Sequence, residues 1–512
     1  MDLGTAFAAS VKRQPGAVAV ADGACRRTFA QWDAEIRAAA GGLARMGLRA
    51  GDHFAAVMRN RYEMATLYWA SHMLGLIFTP ISWRGSLDEI AYCLEDCEAR
   101  AVAYDGAAGS SPAEAAARLE VDGARQIVAA DGKGDGIRFE KILEETPVAG
   151  PAARDAEATC LMLYTSGTTG RPKGVPRSHR AELAAGVSQV AHHQYRMGES
   201  SLCVMPMFHT MGVRKMLSSA LVGGKLVCMP EYSPAGVLRA VAAERVTSLF
   251  LVPTMFHDIV RDPDFARHDL ASLSRLGYAG MAMTPVLVEH CLDAFKPDVF
   301  INHYGSSEIY TFTISAHQRE KPSCAGRAGL NQVIRVVPAD PSLRADIDVD
   351  LGPGEPGEIV ASMASPEAFS GYWKRPDADA KAVQGAWYRT GDLGQFDEDG
   401  ELYVVGRVDD MIISGGENIY PEEIESALAR CPGVASAAVI GMPDERLGSR
   451  VVAFIEPVSR EVTCEAIDSA CLSTGLARFK RPREYVFVRA IPRSASGKLL
   501  RRKLRTGEFE RL

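Results

Sequence analysis

Between Ser233 and Glu308 the chain alternates short apolar runs with helix-patterned stretches, and this alternation limits the fold more than any other feature. Pro234 to Val246 reads as a helix and Thr247 to Val252 as a short apolar strand. Thr284-Pro285 opens the next helix, a capping hydroxyl with proline in the first turn. That helix runs to about Phe295, and Asp298 to Asn302 reads as the following strand. Short apolar strands separated by crossover helices imply a parallel sheet covered on both faces. Polar residues gather just past the strand ends: Gly280 after Arg275 to Ala279, and Tyr304 to Glu308 after Asn302. Ligands of such sheets bind outside the carboxyl ends of the strands.

The same placement recurs upstream. The apolar run Cys160 to Leu163 leads into Tyr164-Thr165-Ser166-Gly167-Thr168-Thr169-Gly170-Arg171-Pro172-Lys173-Gly174-Val175. Glycines let the backbone approach a ligand and turn its N–H groups inward, which suits a polyphosphate. Hydroxyls add donors and Lys173 adds charge. A P-loop needs four residues between its glycines and Ser or Thr after the lysine. Here only Thr168 and Thr169 separate Gly167 from Gly170, and Gly174 follows Lys173, so it is not one. A flexible surface turn fits the composition but not the density of donors directly after a buried strand.

At 512 residues the chain is too long for one core, so at least two domains are expected. A net charge of −7 argues against general nucleic-acid binding. No apolar run is long enough for a membrane span, the amino terminus lacks a secretory pattern, and Glu510-Arg511-Leu512 is no peroxisomal signal. The 11 cysteines are scattered without a Cys-x-x-Cys pair, which suggests a reducing, cytoplasmic setting rather than disulfides or zinc. Ala107 to Asp155, rich in Ala, Gly and acids, reads as a variable surface region, and Gly352 to Gly357 as tight turns in a β-rich subdomain continuing through Gly400. The expected fold is α/β plus α+β: a large domain over residues 1–408 with helix-covered parallel sheets and the β-rich subdomain, then a small mobile domain over 409–512, the junction falling at Val408–Asp410.

Five segments in fixed order resemble the adenylate-forming superfamily of acyl-CoA synthetases, luciferases and peptide-synthetase adenylation domains. These are the Thr165 loop, Tyr304-Gly305-Ser306-Ser307-Glu308, Trp387-Tyr388-Arg389-Thr390-Gly391-Asp392, Gly406-Arg407-Val408-Asp409-Asp410 and Pro492-Arg493-Ser494-Ala495-Ser496-Gly497-Lys498. The carboxy-terminal third resembles bacterial 4-chlorobenzoate- and benzoate-type CoA ligases most. The resemblance implies that Thr165, Ser166, Gly167, Thr168, Thr169, Gly170 and Lys173 hold the β- and γ-phosphates of ATP. Glu308 with Thr165 would hold Mg²⁺, since a hard cation wants oxygen ligands. Tyr304 would stack on adenine beside Asn302, Gly305, Ser306 and Ser307, Asp392 would accept from the ribose hydroxyls, and Arg407 would help hold the nucleotide. Lys498 would bridge carboxylate and α-phosphate, where two anions must meet. Asp409 would be the hinge.

His209 follows Phe208 where this family builds its acid pocket, so the resemblance makes it a catalytic gate at the carboxylate end rather than the structural histidine a lone one usually is. Amino-acid-activating relatives carry aspartate there, so histidine argues against an amino-acid substrate. Ala279, Gly280 and Met281 would line the wall. Arg214 and Lys215 stand where relatives are apolar; they are expected to face solvent, the other reading being contact with a second polar group on the substrate. Gly415, Gly416, Arg481 and Arg483, with Arg84, resemble coenzyme A contacts, guanidinium binding phosphate bidentately. The tract Arg478 to Arg505 holds eleven Lys or Arg against one acid, Glu484, which suits the same ligand.

The expected function is an ATP-dependent carboxylate–CoA ligase working through an acyl-adenylate, on an aromatic acid. The alternatives are a medium-chain fatty acyl-CoA synthetase and a stand-alone adenylation protein loading a carrier domain. A non-catalytic nucleotide-binding relative conflicts with intact Glu308, Asp392, Arg407 and Lys498; a luciferase-type oxygenase shares the motifs. The expected partners are a small carboxylic acid, a second copy in a homodimer and, because the Lys498 motif resembles acetylated sites of related synthetases, a lysine acetyltransferase. Neither nucleic acid nor membrane is expected.

Overall fold

The computed structural model describes all residues except 122–124, 129–135, 166–170, 340–345, 416, 460–461, 475 and 494–498. The chain forms two compact units, Met1–Ile334 with Ala361–Tyr388, and Arg335–Val360 with Arg389–Leu512.

The first unit contains two large sheets. A nine-stranded sheet carries, side by side and parallel, Ser200–Cys203, Ser248–Leu251, Arg275–Ala279 and Val299–Tyr304. Antiparallel strands Thr313–Ser315 and Arg327–Ala328 close one edge. Arg275 to Ala279 is buried throughout, as a central parallel strand requires. Helix Pro234–Glu244 precedes the strand Ser248–Leu251, and Pro285–Phe295 precedes Val299–Tyr304. Their starts follow from local chemistry: Ser233 Oγ accepts from Gly236 N–H and Thr284 Oγ1 from Leu287 N–H, each with proline next in line.

In the seven-stranded sheet the strand Thr159–Thr165 lies parallel to Ile77–Pro80 and antiparallel to Lys173–Ser178. The segments on either side of the phosphate-type loop are therefore two paired strands, unlike the strand and helix that flank a P-loop. One buried cluster unites the two sheets, drawing Phe54, Phe78 and Leu161 from one, and Val20, Cys203 and Leu226 from the other. The region expected to be variable surface is more than that. Gln126–Val128 and Ile137–Arg138 extend the seven-stranded sheet as parallel strands, and Ile127, Phe139 and Ile142 are buried. Isolated apolar residues among alanines and acids leave no periodic signal to read.

Arg177, on the return strand of the hairpin, is fully buried. Its Nε donates to Glu182 Oε1 at 2.9 Å, and its Nη1 to the carbonyls of Glu308 at 2.9 Å and Glu367 at 2.7 Å. The guanidinium also lies 4.0 Å from the Tyr310 ring centroid.

In the second unit the strands Trp387–Phe396 and Leu402–Arg407 pair with Asp392 opposite Arg407. Val434–Asp444, Gly448–Pro457 and Glu484–Phe487 form a three-stranded sheet. Helix Pro421–Leu428 carries Glu422 and Glu423 in its first turn, favourable to its dipole. Arg501 joins Asp410 at 3.0 Å and Glu425 at 2.8 Å.

Removing one partner of a buried ion pair strands the other charge, at a cost of about 3–5 kcal/mol. Arg177→Met is expected to destabilise the protein by that amount in urea denaturation. Combined with Glu182→Leu, which removes the stranded carboxylate, the loss should shrink by half or more. A single variant as stable as the parent would show that Arg177 does not hold these segments.

Candidate active site

Thr165 and Lys173 stand opposite each other in the hairpin register, so they are the gateposts of the loop between them. Ser166, Gly167, Thr168, Thr169 and Gly170 lie outside the described residues. Lys173 Nζ sits 4.0 Å from the Tyr372 ring centroid, and burial lowers the lysine pKa, with the Glu308 charge opposing. Tyr372 in turn donates from its hydroxyl to Glu308 Oε1 at 2.6 Å. The ring of Tyr372 therefore bridges the lysine that follows the loop to a buried carboxylate at the end of another sheet's strand. Sequence reasoning missed Tyr372; it belongs to none of the five motifs, and only the contact reveals it.

Glu308 is reached by a tight turn after Val299–Tyr304. Ser306 N–H donates to Ile309 O at 2.9 Å, and Ser306 Oγ accepts from Glu308 N–H at 3.2 Å and Ile309 N–H at 3.3 Å. A Cβ on Gly305 would fall 1.9 Å from Tyr310 O, so only glycine fits. Tyr304 is half-buried, its ring 5.0 Å from Phe312. Asn302 donates its amide to Cys324 O at 2.7 Å, in the segment that leads into strand Arg327–Ala328. Ser307 Oγ lies 3.2 Å from Thr210 Oγ1, which ties the turn to helix Thr210–Leu221. The donor set of Thr165 hydroxyl and Glu308 carboxylate is all oxygen, which fits a hard divalent cation.

His209 caps that helix, Nδ1 accepting from Met211 N–H at 3.4 Å. Its side chain is exposed, and the surrounding protein still lowers the imidazole pKa by desolvation. Asn60, also missed from sequence, holds the preceding loop: it donates to Val204 O at 3.0 Å and Met205 O at 2.8 Å and accepts from Met207 N–H at 2.8 Å. Ala279 packs with Met205, Met211, Phe250 and Val252 in one buried cluster. Gly280 has φ +88°, and Met281 is 41% exposed.

Arg214 and Lys215 do not face solvent, contrary to expectation; each is only 2% exposed. Arg214 donates to His303 Nε2, Tyr310 O and Thr311 Oγ1, and Lys215 to Tyr195 Oη at 2.8 Å and Ser248 Oγ at 2.6 Å. Charged residues on a helix ordinarily mark its wet face, but Met211 to Ala220 is buried on every side.

In the second unit Arg407 Nη1 donates to Asp392 Oδ1 at 2.5 Å, and Asp392 N–H to Thr390 Oγ1 at 3.0 Å. Asp409 is exposed within the short turn Val408–Asp410, while Asp410 is held by Arg501 and Arg505. Gly415 has φ +61°, a conformation that favours glycine. Arg478, Phe479, Arg481 and Arg483 line a cleft of about 540 Å³, and Arg481 Nε is bonded to Asp468 Oδ1 at 2.6 Å. Gly416 and Lys498 lie outside the described residues. Arg84, in the first unit, is exposed and rests on the Trp83 ring, 4.6 Å from its centroid.

A model of the AMP-binding enzyme family matches residues 7–373, and one of the AMP-binding enzyme C-terminal domain matches residues 423–498. The chain is 33% identical over 486 residues to the long-chain-fatty-acid–CoA ligase FadD13 of Mycobacterium tuberculosis, covering 94% of this chain and 93% of that protein. It is 33% identical over 505 residues to a 4-chlorobenzoate–CoA ligase of Arthrobacter sp, covering 97% and 93%. Its structure resembles that of ATP-bound MatB from Rhodopseudomonas palustris with a TM-score of 0.88 at 25% identity, over 99% of each chain. With the first model matched over most of the chain and the second following it in order, the chain belongs to the AMP-binding enzyme family of adenylate-forming enzymes.

Proposed function

We propose that the protein is an ATP-dependent carboxylate–CoA ligase acting on an aromatic acid. The observation that carries this reading is the Lys173–Tyr372–Glu308 link at the carboxyl ends of the strands, which sets a phosphate-type cation beside a metal-type carboxylate. In the first step the substrate carboxylate attacks the α-phosphate of ATP and pyrophosphate leaves; in the second the thiol of coenzyme A attacks the acyl carbon and AMP leaves. Thr165 to Lys173 cradle the β- and γ-phosphates, so positive charge lies where the leaving group gathers negative charge. Bound Mg²⁺ supplies charge neutralisation between the phosphates. Thr165 and Glu308 would hold it, with the Tyr372 hydroxyl orienting the carboxylate.

Tyr304 offers its ring to adenine. Asp392 accepts from the ribose hydroxyls, and its bond to Arg407 holds the carboxylate in place for them. Lys498 cancels charge between the two anions. His209 gates the carboxylate end of a pocket walled by Ala279, Gly280 and Met281. Gly415 and Gly416 line the path of the pantetheine arm. Arg84, Arg481 and Arg483 receive the phosphates of coenzyme A; the arginine-lined cleft with its exposed Phe479 has the chemistry for a nucleotide. Asp409 is the pivot of a small domain running from 409 to the end.

The 4-chlorobenzoate relative and the small Ala279–Gly280 wall favour a ring substrate. The FadD13 relative supports the second reading, a fatty acid. Pyrophosphate and AMP release, measured for benzoates, cinnamates and fatty acids of 6–12 carbons with and without coenzyme A, tests both. Coenzyme A-dependent AMP release with benzoates or cinnamates is the expected result. Turnover of octanoate with none of any ring acid would replace the first reading by the second.

Lys498→Ala should slow acyl-adenylate formation by about a hundredfold or more, the scale for losing one transition-state charge stabiliser. Thioester formation from supplied acyl-adenylate should change far less, and equal damage to both would refute the role. Asp409→Pro, which fixes φ at the junction, should trap one arrangement and leave one half-reaction at least tenfold slower than the other. Normal rates for both would rule out rotation about this residue.

A further inference from the structure

The strand Trp387–Phe396 does not run straight through to Asp392. Gly391 sits in it at φ +69°, a conformation that favours glycine, and a Cβ there would come within 3.1 Å of Arg407 Nη2. The backbone therefore kinks one residue before the ribose-type carboxylate, and Arg407 lies directly over the kink. The dihedrals of residue 391 set the direction in which the next side chain leaves the strand. Whatever fixes the kink also aims Asp392.

Consecutive residues of the neighbouring strand Gly357–Ser362 fix it. Glu358 Oε1 accepts from Gly391 N–H at 3.3 Å. Ile359 O accepts from the Thr390 hydroxyl at 2.8 Å, and that hydroxyl accepts from Asp392 N–H at 3.0 Å. The amides of Gly391 and Asp392 thus both end on side-chain oxygens. The second oxygen of Glu358 accepts from Arg389 Nη1, and both side chains of this pair are shut off from solvent.

A buried ion pair is a poor means of stabilising a sheet. Desolvating two charges costs about as much as their attraction returns, and apolar side chains of similar size would fill the space as well. An apolar side chain, however, has no oxygen to offer the Gly391 amide. Burial pushes the Glu358 pKa up, Arg389 opposes that rise, and the charge of Asp392 adds to it. Asp392 has a guanidinium of its own, Arg407 Nη1 at 2.5 Å from Oδ1. Two carboxylate–guanidinium pairs therefore meet at Gly391, the buried one at its amide and the partly exposed one at its α-carbon.

Resting on the reading of Asp392 as the residue that receives ribose, we propose that Glu358, held by Arg389, is a positioning residue that aims Asp392 at the ribose hydroxyls. Through that aim it sets the preference for a ribonucleotide over a deoxynucleotide. Glu358 touches no reacting atom; it holds the amide ahead of the carboxylate, while Arg407 holds the carboxylate itself. A site built to hydrogen-bond hydroxyls rejects the analogue lacking them, because its own polar groups are then left unpaired. Hydrogen bonds weaken steeply as their angle closes, so a carboxylate turned aside loses this discrimination while phosphate and adenine contacts made by other residues persist.

The test measures Kd for ATP and for 2′,3′-dideoxy-ATP by calorimetry in the presence of magnesium. It uses the full-length protein and the double variant Glu358→Leu/Arg389→Met, which removes both charges together and strands neither. The parent should bind ATP about tenfold or more tighter than the dideoxy analogue. In the double variant that ratio should fall toward one through weaker ATP binding, with Kd for the dideoxy nucleotide unchanged. A merely structural role would weaken both nucleotides alike, or neither. Should the double variant fail to fold, Glu358→Asp takes its place. It keeps a charge for Arg389 but withdraws the oxygen from the Gly391 amide by one methylene, and the same fall is expected. A parental ratio in the variant, or equal weakening of both nucleotides, overturns this inference while leaving the ribose reading intact. A ratio near one in the parent overturns the reading of Asp392 beneath it.

Discussion

Arg177 has no access to solvent, and its positive charge is shared among one carboxylate, two backbone carbonyls and an aromatic face. Those partners come from separate stretches of the first unit. Glu182 opens the helix after the phosphate-type hairpin, Glu308 ends the turn after Val299–Tyr304, and Glu367 belongs to the segment that also supplies Tyr372. Glu308 is thus positioned from two sides, its main-chain oxygen by Arg177 and its side chain by Tyr372. A guanidinium suits this role because its fork of donors is rigid and stays charged when buried. An ammonium in the same place would lose its proton more readily.

A second concentration of buried charge lies on helix Thr210–Leu221, and the two differ in their partners. Arg177 has Glu182 beside it at 2.9 Å, whereas Arg214 and Lys215 are satisfied only by neutral groups. The first arrangement has its countercharge in direct contact and reads as structure. The second has its carboxylates further off, those of Glu367 and Glu182 acting on Arg214 through space. Glycine makes both possible: Gly305 admits the Tyr310 carbonyl at the Glu308 turn, and Gly277 admits the His193 ring beside Phe250.

Much of the nucleotide side of the site was legible in the residues. Local chemistry wrote it: a proline-led helix start at Thr284, a glycine turn after a buried strand, and a hydroxyl-rich loop ahead of Lys173 all act within a few residues of one another. The strand Arg275–Ala279 and the helix Pro285–Phe295 lie where the pattern put them. The edge strands Gln126–Val128 and Ile137–Arg138 were not legible, because each is two or three residues long and borrows its stability from a neighbour.

The sequence by itself determined the parallel-sheet architecture and the order of the motifs, since these rest on backbone periodicity and on residues placed close to their own strand ends. Only the tertiary structure decided that Arg214 and Lys215 are core residues, that Tyr372 joins Lys173 to Glu308, and that His193 stacks on His303. Burial and long-range contact depend on what other elements pack against a residue. Helix Thr210–Leu221 is enclosed on every side by neighbours far away in the chain, and no local pattern records that enclosure.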